Sequence, residues 1–333
     1  MQGIVRNPQR MKHCFHNILH SRSRLLVVAV VAAWCSIFSV YGQYDPAFVQ
    51  YWKVEPQFNP ASVGKFDQIN LKICMQTHAT GYEDAGSTLY AGADMAFVIG
   101  NTRHGAGISL QSDDIGLFSH KRFSLQYAYF FNLWGGKLAA GAQIDMLSEN
   151  VDGGKAQTND PSDPVFSGGD LTGSAFDATL GVYYTHKKWH AGISMQHLSA
   201  PTISLGDRSE MKLNSLYNFT AAYNISTNYP FLTLTPSVML RYDSTDFRAD
   251  ATVRAIYNKG GKHIYGGLNY APQYSVAMFF GFLFHGLDIG YSYEANTSGM
   301  GISSGNHEIT LGYKFDLDLG KKGKNMHKSV RWL

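Results

Sequence analysis

From residue 67 onward, apolar side chains return on every second position over stretches of about nine to twelve residues, the length a tilted strand needs to cross a bilayer. A period of two belongs to a β-strand with one face in an apolar medium. Ile69, Leu71, Ile73 and Met75 alternate with Asn70, Lys72, Cys74 and Gln76. Phe123, Leu125, Tyr127, Tyr129 and Phe131 share one face, and Arg122, Ser124 and Gln126 share the other. The same alternation runs through Phe176 to Tyr184, Phe247 to Ala255 and Ile309 to Phe315. It predicts strands near 68–78, 89–100, 105–112, 121–131, 137–147, 174–185, 189–198, 216–224, 231–242, 246–257, 262–271, 273–283, 287–294 and 307–317.

An even set of about fourteen strands suits a single-chain bacterial barrel, whose two ends finish on the periplasmic side. Connection lengths bear on the same point, since such barrels have short periplasmic turns and longer outer loops. Segments 101–104, 132–136, 186–188, 225–230, 258–261 and 284–286 are short and fall at every second connection. Segments 77–88, 148–173, 199–215 and 295–306 fall between them, which places 148–173 outside the cell. Outer connections at 243–245 and 271–272 are shorter than this scheme wants, and Pro236, which lacks a ladder donor, calls for a bulge. Tyr90, Tyr129, Phe131, Trp189, Tyr217, Tyr242, Tyr257 and Tyr291 stand near strand ends, as the aromatic girdles of a membrane barrel require. The fold class read from this pattern is all-β, a transmembrane antiparallel β-barrel.

Composition sharpens the choice between a membrane barrel and a soluble sandwich. Only 16% of residues are charged and 14% are aromatic, against about 25% charged in an ordinary soluble domain. The mean hydropathy of −0.18 does not oppose a barrel, because lipid-facing and lumen-facing residues cancel. The inward set, Lys72, Arg122, Asp145, Asp177, Arg241, Asp250, Arg254, Asp288, Glu294, Glu308 and Lys314, mixes both signs of charge.

The first forty residues hold Arg6, Arg10, Lys12, Arg22 and Arg24, no acid before Asp45, and an apolar run at 25–40. That layout predicts a signal peptide over 1–42, cleaved before Gln43. Its removal takes five of the 28 Lys+Arg and none of the 25 Asp+Glu, leaving 23 basic against 25 acidic residues. With a net charge near −2 the mature chain offers no basic stripe for nucleic acid. Cys14 and Cys35 leave as well, so Cys74 has no internal disulfide partner and reads as a small strand residue.

Candidate chemistry is sparse. His307-Glu308 lacks the second histidine of a zinc protease, and Gly105-Ala106-Gly107 opens a strand where a dinucleotide fingerprint would open a helix, so it reads as tight packing beside a turn. Asp160, Asp163 and Asp170 lack the glycine and glutamate of a calcium loop. Neither an enzyme activity nor a cofactor is expected.

The remaining signal lies at the two ends. Asp45-Pro46-Ala47-Phe48-Val49-Gln50-Tyr51, then Asn59-Pro60-Ala61 and Gly64, resembles the mature start of the PorP/SprF family of the type IX secretion and gliding machinery. This chain has Val49 where the family usually has serine. Gly305-Asn306-His307-Glu308-Ile309-Thr310-Leu311-Gly312-Tyr313-Lys314-Phe315 is similar to the family's closing strand, and Ser329 to Leu333 to its basic tail. The resemblance implies a fourteen-stranded, non-enzymatic outer-membrane barrel. Its implied partners are periplasmic and lipoprotein components of the secretion system and secreted cargo such as adhesins.

Four parts follow: a signal peptide (1–42), a periplasmic or lumenal segment (43–66), a barrel (67–317) and a basic periplasmic tail (318–333). In the second part Phe48, Tyr51, Trp52 and Phe58 are expected as buried anchors near the periplasmic opening. Candidate partner-binding residues are Phe48, Tyr51, Trp52, Lys321, Lys322, Lys324, Arg331, Trp332 and Leu333. A terminal Trp-Leu pair has no physical reason to be left in water. The competing function class is a diffusion or uptake channel for small solutes.

Overall fold

Alternation with period two leaves each segment one stable arrangement: strand beside strand, with the polar faces gathered inward and the apolar faces outward. A computed structural model describes residues 45–80, 85–153, 170–206, 209–297 and 305–315. The expected signal peptide, Asp160 and Asp163 of the long loop, and the tail residues Lys321, Lys322, Lys324, Arg331, Trp332 and Leu333 lie outside the described residues.

The strands are β1 (Ile69–Thr77), β2 (Ser87–Ile99), β3 (Thr102–Ile115), β4 (Phe118–Leu133), β5 (Gly136–Val151), β6 (Leu171–Thr185), β7 (Trp189–Gln196), β8 (Thr202–Leu205), β9 (Ser209–Lys212), β10 (Leu216–Tyr223), β11 (Ile225–Ser226), β12 (Leu232–Tyr242), β13 (Phe247–Lys259), β14 (Lys262–Ala271), β15 (Ser275–Phe284), β16 (Leu287–Asn296) and β17 (Gly305–Phe315). Each long strand pairs antiparallel with its neighbour in sequence. The ring closes where β1 meets β17, from Ile69↔Phe315 to Thr77↔His307. β10 and β12 also pair, so β1–β7, β10 and β12–β17 form a closed barrel of fourteen strands. All fourteen correspond to strands read from the alternation. β8 and β9 form a separate hairpin, and β11 is a two-residue continuation of the β10 edge.

The outward face is apolar: Leu71, Ile73 and Met75 on β1 and Phe123, Leu125 and Tyr127 on β4 are exposed. Of the inward charged set, Lys72, Arg122, Asp145, Asp177, Arg241, Asp250, Arg254, Asp288, Glu294 and Glu308 are buried, and Lys314 is half-buried. β3 to β6 run 14 to 16 residues, more than the ~10 residues that a tilted strand spends in an apolar band about 25 Å tall. The excess falls on the side opposite the chain's entry at Ile69 and exit at Phe315, called the outer end below. There β8 and β9 lie inside the mouth. Ile203, Leu205 and Leu213 pack on the inward-facing Leu147 and Val151.

Three expectations need correction. Pro236 sits in an unbroken register with β13, opposite Val253, so no bulge forms there. The missing donor instead interrupts the other edge. β10 pairs with β12 only as far as Ala222↔Ser237, and pairing resumes in the same register at Ile225↔Leu234 as β11. Within that gap the Thr235 hydroxyl donates to Asn224 Oδ1 at 2.8 Å. Tyr90 does not belong to a girdle: it is buried inside the barrel, edge-on to Phe48 with ring centroids 6.4 Å apart. Finally, short outer connections are normal here. Ile115 to Phe118 turns through Gly116 at φ 60, and Asp243 holds its own turn by accepting the N–H of Thr245 and of Asp246 at 2.8 and 2.7 Å.

With both chain ends on the periplasmic side, as expected of a single-chain bacterial barrel, the turn at Lys259–Lys262 is expected to face the periplasm. An epitope inserted at Asn159 is therefore expected to be labelled on intact cells, and one at Lys259 only after permeabilisation. The reverse pattern would invert the barrel.

Candidate functional site: a segment bound inside the barrel

Residues 45–66 carry Pro46, Pro56 and Pro60, each without a backbone donor, so the segment cannot enter the ladder. It folds instead into three single-turn 3-10 helices, Tyr51–Lys53, Glu55–Gln57 and Pro60–Ser62, and runs through the lumen from near the outer end down to β1. Irregular backbone at membrane depth is stable only where protein groups satisfy it. Here the inward polar side chains of the wall do so.

At the top, the Asp45 carboxylate meets Arg122 of β4 at 3.1 Å and His197, just past β7, at 2.7 Å. The other ring nitrogen of His197 is 2.6 Å from Asp177 of β6. Arg241 of β12 donates to the Pro46 carbonyl at 2.8 Å. Burial on its own would raise the Asp45 pKa, but His197 and the two arginines hold it well below the carboxylate range. Burial would likewise lower His197, but Asp45 and Asp177 push it up to about 9.

One turn further, the N–H groups of Val49 and Gln50 both donate to the Glu308 carboxylate of β17, at 2.7 and 3.0 Å. The Gln50 amide reaches Ser292 of β16 at 2.8 Å. Phe48 packs on Cys74 and Tyr90, and Val49 on Ile256, Tyr265, Ala277 and Phe279. Tyr51 is buried with its hydroxyl 2.8 Å from Ser237. Trp52 is half-buried between Phe279, 4.8 Å away, and the Arg254 guanidinium, 4.7 Å away. Lys53 donates to Asp288 and Thr310, each at 2.9 Å, and to the Tyr265 hydroxyl.

The Asn-Pro-Ala element has a specific task. The Asn59 side chain caps the third helical turn by accepting from Ala61 N at 3.0 Å. Its amide also donates to the carbonyls of Val182 and Ile193, at 3.2 and 3.4 Å. The wall is bare where this element lies. A Cβ on Gly181 would stand 2.1 Å from Asn59 Oδ1, and one on Gly141 would stand 2.2 Å from Ala61 N. Further down, Gly64, at φ +70, faces Gly105, where a Cβ would lie 2.2 Å from the Val63 carbonyl oxygen. The sequence reading of Gly105 as close packing is right in kind, but the neighbour is this segment.

Of the expected partner-binding residues, the structure gathers Phe48, Tyr51 and Trp52 in the lumen, where they face the wall. Phe58 is buried with them. The segment is also not confined to the periplasmic opening, because Asp45 sits among residues near the outer ends of β4, β6, β7 and β12. Sequence reasoning missed Glu308 as the acceptor for this segment, although its place on the inward face of β17 was readable.

A family model described as type IX secretion system membrane protein PorP/SprF matches residues 40–313. The chain belongs to that family. It is accordingly a membrane component of the type IX secretion system, and its apolar-faced fourteen-stranded barrel resides in the outer membrane. Both end motifs of this PorP/SprF chain now have a physical sense, since the first binds the second: Val49 and Gln50 are fastened to Glu308. Among solved structures, the toluene transporter TodX of Pseudomonas putida is 9% identical, with a TM-score of 0.47 over 84% of this chain and 100% of that chain. The CymD monoaromatic hydrocarbon channel is 12% identical with a TM-score of 0.47, covering 82% and 94% of the two chains. A mutant of the Rh. blastica porin is 10% identical with a TM-score of 0.32, covering 74% and 99%. No curated protein matches the sequence.

Proposed function

We propose that this PorP/SprF barrel is a non-enzymatic docking platform, supporting export or surface attachment of secreted cargo such as adhesins through protein contacts at its ends. The observation that carries this reading is the bound segment. Its polar groups are matched to β2, β3, β4, β6, β7, β12, β14, β16 and β17, so the lumen is occupied by the protein's own chain. A solute channel has to keep that space open. In this proposal Phe48, Tyr51 and Trp52 act indirectly by holding the segment in place. The tail acts directly. Lys321, Lys322, Lys324 and Arg331 steer association, and Trp332 with Leu333 fills a pocket on a periplasmic or lipoprotein partner.

Deletion of residues 321–333 tests the reading. Heat-modifiable gel mobility is expected to stay that of the intact barrel, while export of the dependent cargo falls at least tenfold. Unchanged export would refute the docking role. Liposomes containing the intact protein are expected not to swell with sugars, and swelling would favour the channel class.

A further inference from the structure

At its periplasmic end the bound segment leaves part of the lumen unfilled. A small open-mouthed cavity lies between residues 52–66 and the wall of β1, β2, β13, β14, β16 and β17. Five cations border it, Lys53, Lys65, Lys72, Arg254 and Lys314. Against them stand three carboxylates, Glu55, Asp94 and Asp288, which leaves two positive charges in excess with His263 neutral.

Each of those carboxylates is already engaged. Asp288 accepts from Lys53 and from the Tyr265 hydroxyl, both at 2.9 Å. Glu55 pairs with Lys65 and accepts from the Tyr183 hydroxyl at 3.1 Å. Asp94 takes the Gly64 N–H at 2.9 Å and the Asn70 amide at 2.8 Å. Lys72 and Arg254, 8% and 6% exposed, have no hydrogen-bond or ion-pair acceptor among the described residues. The Lys72 ammonium occupies the space that a Cβ on Gly312 would enter, 2.7 Å away. Arg254 lies on the Trp52 ring, and its Nε is buried without an acceptor. Buried charges left unpaired are unfavourable until something supplies the opposite charge.

We propose that this cavity binds a carboxylate of an acidic peptide entering from the periplasm, with Lys72 and Arg254 as its counter-charges. The guanidinium fork suits a planar carboxylate. Trp52, Phe66, Ile256 and Tyr265 make much of the remaining lining apolar, so a ligand that carries apolar surface beside its anion gains more here than a bare inorganic ion. The inference rests on the reading of this barrel as a protein-docking component and gives one of its contacts a chemistry.

The test is a calorimetric titration of the purified, folded, full-length mature protein. Its probes are an end-blocked hexapeptide with two aspartates and two leucines, the same peptide with asparagines, and inorganic phosphate. The aspartate peptide is expected to bind at least tenfold more tightly than either of the others. Lys72→Gln and Arg254→Gln should each weaken it about tenfold with heat-modifiable mobility unchanged, while the charge-retaining Lys72→Arg stays within about threefold of the parent. That last variant and the parent's peptide discrimination decide the matter should a glutamine variant fail to assemble. Phosphate binding as tightly as the peptide would make this a small-ion site and overturn the proposal. So would the absence of saturable peptide binding. Binding gained only by Asp316→Asn/Asp318→Asn would assign the cavity to the protein's own carboxy-terminal segment, which also overturns it. These outcomes do not depend on cargo export, so the titration and the tail deletion can fail separately.

Discussion

Replacing Asp45 with alanine is expected to free the amino-terminal segment from the lumen while the fourteen strands stay assembled. Asp45 is buried, and it accepts from Arg122 and lies against His197, itself held by Asp177. Removing one member of a buried ion pair costs about 3–5 kcal/mol, because the other charge is stranded. The strand ladders do not pass through Asp45, so the loss falls on the docking of residues 45–66. Hydrogen exchange followed by mass spectrometry should show those amides losing protection in Asp45→Ala and the strand amides keeping theirs. Protection unchanged at 45–66 would refute the anchoring role.

The same anchor makes docking depend on pH, and the signs can be followed group by group. The folded-state pKa of His197, raised to about 9 from an ordinary 6.5, makes a contribution that is complete below 6.5 and fades as pH rises toward 9. That of Asp45 is depressed, so its contribution is complete above an ordinary 3.8 and is lost as pH falls through its lowered value. Protection of residues 45–66 should therefore be greatest between about pH 4 and 6.5 and decline from 6.5 toward 9. Asp45→Ala should flatten that decline.

A larger side chain in the wall should expel the segment by another route. In Gly141→Val, the new Cβ would stand 2.2 Å from Ala61 N and 2.5 Å from its Cα, and these are backbone atoms that no rotamer change can move aside. Overpacking of this kind costs about 1–3 kcal/mol or more. Valine suits a strand, so β5 itself should form. Adding Gly181→Val, which meets Asn59 Oδ1 at 2.1 Å, strikes the same helical turn, so the two costs are not independent. Planar-bilayer recordings are expected to find the parent silent and the double variant conducting, as a polar lumen without its occupant would. A double variant as silent as the parent would show that residues 59–61 are not what closes the barrel.

The wall was legible in the sequence because it is written in a local code. Ile69 to Met75 and Ile309 to Phe315 report their faces through their immediate neighbours, so the two strands that seal the ring could be read separately. The contents of the lumen follow no such code. Tyr44 to Gly64 reads as aromatic and proline-rich, which suffices to keep it out of the ladder. Where each side chain lies, however, depends on partners such as Glu308, Asp288 and Arg122, far away in sequence. Gly141 and Gly181 look like ordinary small strand residues until Asn59 and Ala61 are set against them. The hairpin of β8 and β9 was hidden for a different reason: its alternation at Ile203, Leu205, Met211 and Leu213 is too short to stand out from a loop. Pro236 was recognised as a misfit, but its remedy lay in the neighbouring strand, which lets go for two residues.

The bond from Val49 to Glu308 spans 259 positions along the chain. Its acceptor lies on the closing strand, so it has no place in space until that strand meets the first. A segment that precedes the first strand thus has its seat only once the last strand is in place. Loop closure over such a distance must be complete before the contact repays it. The segment is in this sense a keystone, cut first and set last, and a barrel that fails to close at its seam will also fail to fill.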